Sequence, residues 1–226
     1  MAGNSSYQKK TMAAKQHLLI ISIALLISFC QCDPDTLQDF CIAELKNQPF
    51  INGFPCKSPK DVTSDDFFFA GLAQEKDTDN ILGSNLTAGN VLSFPGLNTL
   101  SMSMNRVDFA PGGINPPHSH PRAAELVFVM RGCLLVGFVA TDGKFFSKTL
   151  KAGEVFVIPK GLIHFQYNVG KKTATAITSF NSQLPGVVIA ANTLFGSTPE
   201  IPTGVLTKAF RVDDKLINEI KSKFGN

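Results

Sequence analysis

The chain has four histidines, and three of them, His118, His120 and His164, fall within two short stretches, Gly112 to Gly132 and Gly153 to Asn168. The fourth, His17, lies in an N-terminal leader discussed below. A fold for this chain must therefore account for imidazoles confined to two segments well apart in sequence. Imidazole is the commonest protein metal ligand, and three of them with the carboxylate of Glu125 form a nitrogen and oxygen set suited to a divalent transition metal. His118 and His120, two apart, share one face of a strand. Pro121 cannot donate to a sheet ladder and is expected to interrupt that strand. Glu125 then opens the β-rich run Leu126-Val127-Phe128-Val129-Met130, and His164 would come from a later strand. Many His-x-His pairs are only solvated loop residues. The added glutamate and third histidine make a metal site the stronger reading.

Strand signals follow one another from Leu100 onward. Ser101 to Phe109 alternates in part, Cys133 to Phe138 is an apolar run, and Asp142-Gly143 is a hairpin turn before Lys144-Phe145-Phe146. Further short strands are expected at Gly153 to Pro159, Phe165 to Val169, Thr173 to Phe180 and Gly186 to Ala190. Such spacing predicts an all-β sandwich or barrel. Between Cys56 and Gly112 the chain otherwise reads as mostly irregular. The tail differs: Gly204 to Phe210 is a candidate short helix, and Asp213 can cap a second in which Leu216, Ile217, Ile220 and Phe224 form an apolar stripe. That stripe would pack on its own domain or dock on a neighbouring subunit.

Residues 1–32 read as a signal peptide, with Lys9, Lys10 and Lys15 ahead of the apolar run Leu18 to Phe29 and cleavage expected before Asp33. The run is too short to span a bilayer, although an uncleaved anchor is the alternative reading. A start at Met1 or at Met12 gives the same mature chain. Residues 33–226 then form one domain, with no membrane attachment after cleavage. Three of the 21 basic residues and none of the 18 acidic ones leave with the leader, so the mature net charge is zero instead of +3. No basic patch argues for nucleic acid. Export leaves Cys41, Cys56 and Cys133. Cys133, in its apolar run, is expected to be a buried, inert thiol. Asn85-Leu86-Thr87 is a glycosylation acceptor in an exported chain.

Gly112, five residues, His118-x-His120, four residues, Glu125, six residues, Gly132 resembles the first box of the germin and germin-like proteins of the cupin superfamily. Gly153, five residues, Pro159-x-Gly161, two residues, His164, three residues, Asn168 resembles the second, also without a gap. The resemblance implies a cupin jelly-roll β-barrel with short C-terminal α-helices, holding Mn(2+) through His118, His120, Glu125 and His164. It supports a disulfide between Cys41 and Cys56, a loop closure worth about 3 kcal/mol. It also implies a homo-oligomer, a hexamer built as a trimer of dimers, secreted to the plant apoplast or cell wall with a role in defence. The matching positions for two substrate-orienting amides are Asn105 and Asn115, although Asn105 also reads as a turn residue. Ser119 stands where cereal germins carry isoleucine, and Cys133 where they carry an acidic residue.

Three neutral imidazoles and one carboxylate leave a divalent ion with a formal charge near +1 and room for an anion, a catalytic layout more than a closed structural one. On intrinsic affinity zinc and copper would outbind manganese, so manganese is what the resemblance implies. The expected chemistry is superoxide dismutation. Oxalate oxidation with release of hydrogen peroxide is the second expectation, and a non-catalytic extracellular binding or cell-wall protein the third.

Overall fold

The computed structural model describes residues 38–49 and 53–224. The expected signal peptide, residues 1–32, lies outside them. Among the described residues ten strands form two five-stranded antiparallel sheets. The first sheet contains β1 (Ser84–Gly89), β2 (Ser103–Phe109), β9 (Ala174–Phe180), β4 (Glu125–Arg131) and β7 (Val155–Ile158), in that spatial order. The second contains β10 (Val188–Ile189), β3 (Ile114–Ser119), β8 (His164–Asn168), β5 (Cys133–Val139) and β6 (Phe145–Lys151). Short helices α1 (Ala190–Phe195), α2 (Thr203–Phe210) and α3 (Asp214–Lys221) close the chain. The all-β jelly-roll expectation, with short C-terminal helices, holds. Among the described residues no helix is long and apolar enough to cross a membrane.

Alternation along the strands places the core between the sheets. In β4, Glu125, Val127 and Val129 are buried while Leu126, Phe128 and Met130 face outward. Val107, Phe109, Val127, Val129, Ala174 and Ala176 of the first sheet pack against Leu134, Val136 and Leu150 of the second. Gly132 makes the turn from β4 to β5 possible: its φ is +87°, and a Cβ there would lie 2.5 Å from that of Ala174. The Asp142-Gly143 hairpin forms as expected, with the Asp142 carboxylate accepting from the Lys144 backbone N–H at 3.0 Å.

Several local expectations need correction. Residues 84–89 form an edge strand that reads as irregular in sequence, because Asn, Ala and Gly are poor strand formers and the strand is specified by pairing with β2. Asn105 is not a turn residue; it lies within β2, opposite Thr178. β3 ends at Ser119, one residue before His120, and its register already shifts between Asn115 and His118, where Pro116 and Pro117 have no N–H to give. Only Val188–Ile189 of the 186–190 segment is strand, and α1 starts at Ala190. Cys133 is half-buried at the start of β5, not fully enclosed in the core.

The Cys41–Cys56 disulfide is present. Asp213 caps α3 by accepting from the Leu216 N–H at 2.8 Å. Within the expected stripe Ile217 is fully buried, Leu216 is exposed, and the ring of Phe224 stacks on Phe195 of α1, so most of the stripe packs inside the chain.

Candidate metal centre

The two sheets converge at one end of the core on His118, His120, Glu125 and His164. His118 pairs with His164 of β8 on one side and with Ile189 of β10 on the other. Glu125, the first residue of β4, pairs with Ile158 and Phe180. All four side chains are buried, and one ligand atom from each lies within 4.8 Å of all the others.

Each imidazole is held by the backbone through Nδ1. The partners are the carbonyls of Pro116 for His118 at 2.7 Å, Gly186 for His120 at 2.5 Å and Leu162 for His164 at 2.8 Å. A carbonyl only accepts, so each Nδ1 carries the hydrogen and each neutral ring presents a bare Nε2 to the interior. Nε2 of His164 and of His120 then stand 2.8 and 3.3 Å from Oε2 of Glu125. Lone pairs facing lone pairs at these distances call for a cation between them, and the donor set fits a divalent metal.

The electrostatics agree. Burial, then the neighbouring His164, lower the His118 pKa to about 4, which favours the neutral ligand form. Burial pushes the Glu125 carboxyl upward, but the His120 and His164 rings against it outweigh burial and hold it at about 2. Phe180 closes one side, its ring 4.7 Å from that of His120. The loop carrying Gly186 is tied down by Arg122, whose Nε donates to the Leu184 carbonyl at 2.8 Å.

Asn105 is nine-tenths buried and shares the inward face of β2 with Val107 and Phe109, one residue pair further along the sheet from the Ser103, Phe180 and Glu125 row. Asn115 is half-buried on β3, and its Nδ2 donates to Oε1 of Gln166 at 2.7 Å. Asn85 is not part of this cluster; it sits on the edge strand β1 and donates to the Asp77 carbonyl at 2.7 Å. Gln166 is the residue sequence reasoning missed: fully buried, with Nε2 3.4 Å from Oε1 of Glu125. The signal was its period-two placement between His164 and Asn168 on one face of β8.

A family model described as Cupin matches residues 70–218. Germin-like protein 3-8 of Oryza sativa subsp. japonica is 56% identical over 223 residues, covering 95% of this chain and 99% of that protein. The chain belongs to the germin-like proteins of the cupin family. Germin-like protein subfamily T member 2 of Arabidopsis thaliana is likewise 56% identical, over 93% of this chain and 94% of that protein. Among solved structures, a recombinant oxalate oxidase in complex with glycolate is similar with a TM-score of 0.82 and 52% identity, covering 85% of this chain and 98% of that one.

Proposed function

We propose that this germin-like chain is a secreted, manganese-binding redox protein of the plant apoplast, with superoxide dismutation as its chemistry and a role in defence. The observation that carries the reading is the convergence of three Nδ1-anchored imidazoles and one carboxylate in a buried cluster. His118, His120, Glu125 and His164 would hold the ion, which when bound supplies a one-electron couple. The ligand set leaves it a charge near +1, and that positive centre attracts a small anion. Two superoxide anions and two protons yield dioxygen and hydrogen peroxide, which requires little beyond access for the anion. The backbone anchors fix the imidazoles before the metal arrives, so little reorganisation accompanies binding.

Oxalate oxidation is the second reading, favoured by the likeness to the glycolate-bound oxalate oxidase. Asn105, inward-facing beside the cluster, would orient the dicarboxylate in that case, with Asn115 as its partner. A homo-oligomer, a hexamer in this reading, is supported by the apolar outer face of the first sheet. Asn85 is proposed as the glycosylated residue.

Elemental analysis of the purified protein, with superoxide dismutation and oxalate-dependent peroxide release measured on the manganese-loaded form, tests the choice. Dismutation with no peroxide from oxalate is the expected result. Activity that survives His120→Ala would remove the chemistry from this centre. Complete inactivity at full manganese occupancy would leave a binding protein of the cell wall.

A further inference from the structure

His120 is oriented by a backbone group, the Gly186 carbonyl, and that carbonyl is only as fixed as the loop that carries it. Three residues upstream in the loop, Gln183 is buried and reaches away from the centre. Its Oε1 accepts from the Thr99 N–H, and its backbone carbonyl accepts from the Val91 N–H at 3.0 Å. Thr99 has φ +64°, a costly backbone for a β-branched residue, and is held there by Gln183 and by its own Oγ1, which donates to the Asn98 carbonyl at 2.6 Å. Asn98 has no exposed surface. Its Nδ2 donates to the Phe54 carbonyl at 2.8 Å, its Oδ1 accepts from the Phe54 N–H at 3.0 Å, and the second Nδ2 hydrogen faces Cys41 Sγ at 3.4 Å. Phe54 stands two residues before Cys56, the disulfide partner of Cys41. Bonded groups thus run without a break from the disulfide to the loop that positions a metal ligand.

We propose that the Cys41–Cys56 disulfide and the metal centre are coupled through Asn98, Thr99 and Gln183, so that a thiol reductant that opens the disulfide also weakens the hold on the metal. The inference rests on the metal-centre reading above. Gln183 is in this account a positioning residue for His120. Opening the disulfide takes a dithiol: the Sγ–Sγ bond breaks, Cys41 and Cys56 each take up one electron and one proton, and the dithiol leaves as its own disulfide. Phe54 is then no longer tethered against Asn98, and the backing of Thr99 and Gln183 loosens. Two other braces remain, Ser103 Oγ on the Ser182 carbonyl at 2.7 Å and Arg122 Nε on the Leu184 carbonyl at 2.8 Å, so the His120 ring gains freedom without being released.

A disulfide that only staples the chain makes a different prediction: opening it costs stability, while the folded chain binds metal as before. The test measures manganese affinity of the metal-free full chain with the disulfide closed and with it opened by Cys41→Ser and Cys56→Ser together. The open form should bind manganese on the order of tenfold more weakly. Gln183→Leu with the disulfide closed should show a similar loss, and opening the disulfide in that variant should then cost less than about twofold more. Coupling is reciprocal, so saturating manganese should make the wild-type disulfide about tenfold harder to reduce, a potential lower by about 30 mV in a dithiol redox buffer. In Gln183→Leu most of that shift should vanish.

Equal manganese affinity in the open and closed chains would overturn the proposal, as would additive losses or a potential shift that persists in Gln183→Leu. A chain that loses its sheets by circular dichroism when the disulfide opens would overturn it too, because the coupling would then be global unfolding. A closed wild-type chain that binds no manganese would instead defeat the metal-centre reading. Gln183→Met, which keeps the volume, and wild type reduced after folding serve if the other variants do not fold.

Discussion

At the residue scale, the centre is assembled from side chains whose tautomer and charge are set before a metal binds. His118 in the folded chain titrates at about 4, against 6.5 for an unburied imidazole. Between those values the unfolded chain binds the additional proton, so this contribution to stability is complete above pH 6.5 and is lost as pH falls toward 4. Glu125, held at about 2 against 4.5, works in the same direction in a more acidic window. The metal-free protein should therefore melt at progressively lower temperature as pH is taken from 7 to 4. Thermal unfolding followed by circular dichroism checks this, and a flat profile would contradict the burial of a neutral His118. At neutral pH, manganese at 100 times its dissociation constant adds about 2.7 kcal/mol, so chelation should lower Tm by roughly 5–10 °C. In His120→Ala, which lacks one of the four donors, most of that chelation shift should disappear.

At the scale of elements, the ligands were legible in the sequence and their supports were not. Glu125, Leu126 to Met130 and the Asp142-Gly143 turn announce themselves through spacing, β-propensity and turn chemistry, and the structure has them where expected. β1 escaped because its Asn, Ala and Gly are poor strand formers and its pairing partner lies across a long loop. Gln166 escaped because one glutamine among alternating residues shows its role only once β3 is seen to lie beside β8. The anchoring carbonyl of Gly186 is a backbone group in a loop, which no side-chain motif records. That loop offers a direct test. Gly186 has φ +68°, and a Cβ there would stand 2.8 Å from the Arg122 guanidinium. Gly186→Ala should therefore displace the loop, loosen the His120 ring and weaken manganese binding by about tenfold. Metal titration checks it; an unchanged affinity would mean that the Gly186 carbonyl does not orient His120.

For the whole molecule, the least expected feature of a ten-stranded shell is what the first sheet shows to solvent. Val157, Leu126 and Met104 follow one another across β7, β4, β9 and β2 in one outward row, with Ser179 between the last two, and Val155, Phe128 and Ile177 make the next. Of these, Val155, Val157, Leu126, Phe128 and Met104 are each at least two-fifths exposed. A contiguous apolar sheet face of this kind marks an association surface more than a solvated one. A second copy of the chain presents the same face, and a two-fold contact between copies would cover both at once. Phe128→Glu and Val155→Glu stand directly opposite each other in register. Together they place two like charges in the middle of that contact, and on an isolated chain each such surface change alters stability by only about 0.5 kcal/mol. Sedimentation of the double variant should give a smaller species than wild type, with secondary structure and the Glu125 cluster intact, since both side chains point away from the core. A double variant that sediments like wild type would show that the chains associate through another surface.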